Sequence, residues 1–217
     1  MTTRLFTDLE RKITPTAPGC PQPVIKQHVR DAAIAACKAT LAWRYEQDPI
    51  PLTPGVYTYE YETPEDSEVV AIFQTSLNDL VFPAVSLDVL LARFPAWPAT
   101  ATTDRAQPAV VSQFDTDHFV VAPVPDDVDT YTIKMFLALR PTQDADGMDK
   151  TIFDELEELI MHGALFRILS IPEQSWSNGK LAEFHGKQTT YKTSMQRAVA
   201  NLGAGRASLR VRPVPFS

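Results

Sequence analysis

The chain has 217 residues, 44% hydrophobic and 22% charged, with a formal net charge of −7. That length suits one domain, or one domain carrying a large insertion, with a core big enough to need no staples, and the two cysteines, Cys20 and Cys37, make no disulfide framework. No basic patch for gripping phosphates is evident, no run approaches the roughly 18 apolar residues of a membrane helix, and the start lacks a signal-peptide core, so a reducing compartment is expected.

Residues 1–21 read as an N-terminal arm in which Leu5, Phe6, Leu9 and Ile13 have the spacing of a short amphipathic helix. Pro15, Pro18 and Gly19 end it, and Pro21 and Pro23 open a helix over residues 22–44, because proline is tolerated in a first turn. That helix carries two apolar stripes. One is Ile25, Val29, Ala32, Ala36, Ala39 and Trp43; the other, on nearly the opposite side, is Ile34, Cys37 and Leu41. The second stripe needs a second contact, either beneath the rest of the fold or on a neighbouring subunit.

From residue 45 to 141 the apolar period changes to two. Ile50 and Leu52 precede a Pro54-Gly55 turn, and Tyr57, Tyr59 and Tyr61 share one face of a strand. Residues 68–76 form another strand, and Ser86 caps a short helix holding Leu87, Leu90, Leu91 and Phe94. Residues 110–114 and 118–122 make a hairpin around Asp115-Thr116-Asp117, and residues 131–139 return as a long strand.

Two helices follow. Asp149 caps the first, over residues 151–170, and Pro172 forbids its continuation. Ser177 is placed to cap the second, in which Leu181, Phe184, Gln188, Tyr191, Met195, Ala198 and Leu202 recur at alternating spacings of three and four, like a coiled-coil seam. Helix, strands, then helices predict an α+β fold: a helical bundle of three main helices (22–44 and 142–205), an inserted antiparallel β-rich subdomain (45–141), and an extended C-terminal tail (206–217). The tail combines Arg206, Arg210 and Arg212 with Leu209, Val211, Val214 and Phe216, held extended by Pro213 and Pro215. Disordered termini are usually poor in such residues, so the tail suits docking as a strand or in a groove on a partner.

Catalytic and metal chemistry find little support. No His/Cys spacing for zinc, no phosphate loop and no nucleophile elbow is present. Glu158 and His162, one helical turn apart, fit a solvated pair better than half of a metal site. Cys37 sits among alanines rather than in an electropositive opening. Asp115 and Asp117 fit turn chemistry, Asp144 and Asp146 lack the remaining ligands of a calcium loop, and Arg167 suits a structural ion pair or a cap of helix carbonyls. No enzyme and no cofactor are expected.

Three segments, in order, resemble the head-to-tail adaptor, or connector, proteins of tailed bacteriophages. They are Pro18-Gly19-Cys20-Pro21 leading to residues 29–34, Cys37 and 40–43; residues 48–52 with Gly55; and Gly163-Ala164-Leu165-Phe166-Arg167 through Pro172, Trp176, Ala182 and Phe184. The chain departs from the family pattern before Trp176, where it has Ser175 and the family is expected to have a proline. The resemblance implies a structural protein of the virion neck, made in the host bacterial cytoplasm. It implies a homo-oligomeric ring, commonly a dodecamer, that joins the portal protein to the tail tube or nozzle. DNA would pass through the ring without specific binding during genome ejection. It places Arg206, Leu209, Arg210, Val211, Arg212, Pro213, Val214, Pro215 and Phe216 at the portal, and on that reading Ile34, Cys37 and Leu41 become the subunit interface. The alternative is a non-viral protein-binding module that uses the β-rich insertion as its surface.

Overall fold

Prolines and capping side chains set the helix starts in this protein, and backbone turns set the strands. The computed structural model describes residues 2–98 and 102–203. The chain opens with β1 (Thr3–Leu5) and α1 (Thr7–Ile13), then α2 (Gln22–Thr40). Next come β2 (Arg44–Leu52), β3 (Thr58–Glu60), β4 (Ser67–Leu77), β5 (Leu80–Val81), β6 (Ala84–Val85) and α3 (Leu87–Arg93). After these follow β7 (Val110–Gln113), β8 (His118–Ala122), β9 (Tyr131–Pro141), β10 (Gly147–Asp149), α4 (Lys150–Leu169) and α5 (Gly179–Gly203).

The local chemistry is that of the sequence. Pro23 lies in the first turn of α2, and Leu41 ends the helix in the left-handed region at φ +53°. Asp149 caps α4 by accepting from the backbone N–H groups of Thr151 and Ile152, and Ser86 caps α3 through Val89 N–H. The cap of α5 is Asn178, whose side chain accepts from Leu181 N–H at 3.1 Å. Ser177, expected in that role, instead donates to the Ile171 carbonyl and accepts from Gln174 N–H, closing the turn after α4. Asn78 and Asp79 both have positive φ, the geometry of a tight two-residue hairpin joining β4 to β5.

The expected bundle of three helices with an inserted β-rich subdomain is not what forms. Five α-helices and ten strands in three sheets make a mixed α/β fold among the described residues. The sheets run β1-β10, β2-β9-β4-β5 and β3-β8-β7-β6. One of the pairs, β6 with β7, is parallel. The larger of two hydrophobic clusters takes Phe6, Ile13 from α1, Val29 and Cys37 from α2, Leu137 and Leu139 from β9, Phe119 from β8, and Phe153 and Ile160 from α4; the smaller holds Leu90, Val110, Val120 and Ala122. The change of period located the strands correctly but carried no information on what they would pack against. Strand β9 settles that: Tyr131, Ile133, Met135, Leu137 and Leu139, which share one face, are all buried in the common core, while on the other face only Ala138 is buried and Phe136 is exposed.

The first residues are part of this structure. Strand β1 pairs with β10, Thr3 opposite Asp149, and Gly147 lies so close that a Cβ there would sit 2.4 Å from the Arg4 carbonyl oxygen. Arg4 pairs with Asp154 and Glu157 of α4, and its guanidinium lies 4.6 Å from the Phe153 ring centroid. Strand β2 is a sheet edge, and Pro49 and Pro51 lie on it, where a missing N–H costs no ladder bond.

Candidate interaction surfaces

The residues singled out for chemistry are all held in structural roles. Cys37 is fully buried, and burial pushes its thiol up to about 12, so it is not a nucleophile. In the hairpin between β7 and β8, the Asp115 carboxylate accepts from Asp117 N–H at 2.8 Å and His118 N–H at 2.6 Å and meets the His118 ring at 3.0 Å. Burial pushes that carboxyl up, but these partners outweigh it and hold the group below the usual range. Asp146 pairs with Lys26 at 2.8 Å and Arg30 at 3.4 Å, and Arg30 also donates to the carbonyls of Gln143 and Ala145. The loop thought to resemble a calcium site is therefore a clamp onto α2. Arg167 reaches Asp31 of α2 at 3.8 Å, an ion pair between helices.

Glu158 turns to Lys192 of α5 rather than to His162. His162 faces His185 across the α4–α5 contact, Nδ1 to Nδ1 at 2.7 Å, which requires one ring to donate and the other to accept. Desolvation holds both imidazoles below their ordinary value; Lys192 lowers His162 further, Glu158 opposes, and His162 lowers His185. No cluster of three or more metal-ligating side chains occurs among the described residues, and none of their helices is long and apolar enough to cross a membrane.

The trio expected at a subunit interface is divided by the fold. Ile34 and Cys37 are buried within the chain, while Leu41, at the C-terminal cap of α2, is half-buried. The tail residues Arg206 to Phe216 expected at a portal lie outside the described residues.

Sequence reasoning did not anticipate the direction in which α5 turns its apolar stripe. Its inner face is made of small and polar groups: Ala182, His185, Thr189, Lys192 and Gln196. Phe184, Tyr191 and Met195 of the presumed seam are 50%, 61% and 52% exposed, and Phe166 of α4 is also exposed beside Gly186. Adjoining this stripe, and sharing Met195 with it, a cleft of about 630 Å³ between α4 and α5 is lined by Asp154, Glu155, Glu158, Met161, Lys192 and Met195. A second apolar feature is the β4–β5 hairpin, where Leu80 and Val81 are largely exposed. A third is an open groove of about 930 Å³ between β4 on one side and β6 and β7 on the other, with Lys38 and Arg140 on its rim. Exposed apolar surface of this kind suits contact with another molecule. A family model described as SU10 adaptor protein matches residues 2–214, nearly the whole chain. No curated protein matches it.

Proposed function

We propose a function from one premise: this chain belongs to the SU10 adaptor protein family. It is therefore a structural adaptor of bacteriophage particles, a component of the virion that contacts other virion components rather than an enzyme. In our reading it is the head-to-tail adaptor: a ring, of about twelve copies, that joins the portal to the tail tube or nozzle and surrounds the DNA passage. The family match over residues 2–214 carries this reading.

The physical features support it. Phe184, Tyr191 and Met195 of α5 offer apolar surface to a neighbour, and Leu80 and Val81 of the β4–β5 hairpin offer a second, different one. Unlike surfaces on one subunit suit head-to-tail contacts that close into a ring. Of the expected interface trio, only Leu41 is accessible for such a contact. At −7 per chain, twelve copies carry a formal charge of about −84, which repels DNA from the bore and favours passage over adhesion. The tail, Arg206 to Phe216, is the segment we assign to the portal.

Mass measurement in solution and co-sedimentation with portal-bearing heads test this reading. Rings, or head-bound protein that the tail deletion removes, are expected. A monomer at all concentrations that ignores purified portal overturns it and favours a free-standing protein-binding module.

A further inference from the structure

Val81, Val128 and Leu80 are the most exposed large apolar side chains among the described residues, at 89%, 79% and 71%. They are gathered at one end of a sheet. Leu80 and Val81 form β5, and the turn before them is tied to the start of β9: Asn78 Nδ2 donates to the Thr130 carbonyl at 3.0 Å, Asn78 N–H donates to the Thr132 carbonyl at 2.9 Å, and the Asn78 side chain accepts from Thr132 N–H at 2.8 Å. These bonds fix the hairpin and bring the Val128 loop beside it. Acids surround the apolar tip: Asp79, which meets Lys134 at 2.5 Å, and Asp126, Asp127 and Asp129 of the loop. Along β9 the tip is seven residues from Leu139, whose N–H donates to the Trp43 carbonyl just after α2. At the usual strand rise that is roughly 24 Å, so the tip stands clear of the helices.

A receiving surface lies on the helical side. Phe166 of α4, 42% exposed, covers Gly186 of α5, where a Cβ would come within 3.1 Å of the ring. The missing side chain leaves an open groove of about 650 Å³ along α5, floored by Phe166 and Gly186, walled by Thr190 and Tyr191, with Lys187 on its rim. A hollow of about 380 Å³ between α2, α4 and α5 shares Phe166 and Thr189 with it and continues past Ala35 and Ala39 to Arg167. Helix α5 carries Lys180, Lys187, Lys192 and Arg197 against the single acid Glu183. Lys187 pairs with Glu183 at 2.6 Å, an exposed contact weak enough to exchange partners. We propose that Leu80 and Val81 at the hairpin tip of one copy seat in this groove of the next copy. The tip is apolar and ringed by acids, and the groove is apolar and rimmed by cations, so the two match in sign as well as in polarity. Their separation on the subunit makes the contact head-to-tail, and a contact of that kind repeats from copy to copy around a ring. The inference rests on the ring reading and names the two surfaces that meet in it.

Light scattering tests this with three full-length proteins: the natural chain, a hairpin variant with Leu80→Asp and Val81→Asp, and the groove variant Tyr191→Asp. Each variant alone is expected to assemble at least about ten-fold more weakly than the natural chain, with its melting temperature unchanged. Mixed in equal amounts, the two variants are expected to form dimers and stop there, because the intact groove of one and the intact hairpin of the other make a single contact. Added salt is expected to weaken that contact. Assembly of both variants at natural strength overturns the contact and leaves the ring reading standing. A natural chain that stays monomeric, alone and with portal-bearing heads, overturns both. In full-length protein bearing Val81→Cys and Thr190→Cys, mild oxidation is expected to link position 81 of one chain to position 190 of another. A link only between positions 81 of two copies shows the hairpins pairing with each other and overturns the proposal, as does the absence of any link.

Discussion

Helices α4 and α5 are neighbours of similar amphipathic pattern, yet they are held in opposite ways. Helix α4 sinks Phe153, Leu156, Ile160, Ala164 and Ile168 into the common core. Helix α5 lies against it through Ala182, the His162–His185 contact, Thr189 and the Lys192–Glu158 pair, and leaves its large apolar groups in solvent. A repeat of threes and fours says that a helix has an apolar stripe; it does not say whether the stripe meets this chain or another. Phase decides. In α5 the residues that face α4 are those offset from the stripe, so the interior contact is polar and the apolar surface is left for a partner.

This contrast is sharpest under truncation. Ile160→Ala removes a fully buried side chain from α4 and is expected to cost about 2–5 kcal/mol in denaturant unfolding. A loss under 1 kcal/mol there removes the distinction between the helices. Capping gives a smaller version. Asp149→Ala, which strips two N–H groups of their acceptor, is expected to cost about 1–2 kcal/mol, against about 0.5–1 kcal/mol for Asn178→Ala with its single bond.

The α4–α5 contact also predicts a pH dependence. The folded imidazoles of His162 and His185 titrate below their ordinary value, so the unfolded chain binds protons first as pH falls. Their stabilisation is full above the unfolded value of about 6.5 and declines as pH drops from there through the folded values. Glu158 opposes and Lys192 reinforces this for His162. Melting temperature between pH 7.5 and 5 is expected to fall less in His185→Gln than in the natural chain; identical slopes refute the role of the pair. The smallest effect on folding is expected at the exposed stripe. Tyr191→Asp and Met195→Asp should change stability by about 0.5 kcal/mol or less. The same changes should lower the assembled mass measured by light scattering, and unaltered assembly would show that partners meet the protein elsewhere.

Much of this was legible in residues. Pro21 and Pro23, Asp149, Ser86 and Pro172 marked helix ends because capping and proline geometry are local. The β7–β8 hairpin was legible from Asp115 and its neighbours for the same reason. The pairing of Thr3 with Asp149 was not, since three residues of β1 carry no periodic signal. Nor was the shared core, because alternation in β9 and the two stripes of α2 describe faces without naming what covers them. Among candidate contact residues, Ile34 and Cys37 had the right pattern but lie inside the chain, whereas Phe184 and Tyr191 were read as a seam without a direction.

The pairing of β1 with β10 also sets an order of events during synthesis. Thr3 meets Asp149, and Phe6 and Leu9 share a core with Phe153 as well as with α2, so this segment lacks part of its cover until residues near 150 have left the ribosome. At about 5–20 residues per second that interval is about 7–30 s, during which the apolar face of α1 is without its final cover. A contact so distant in sequence slows folding as well. Once formed, it ties the beginning of the chain to the start of α4, and completion of the fold waits for that late arrival.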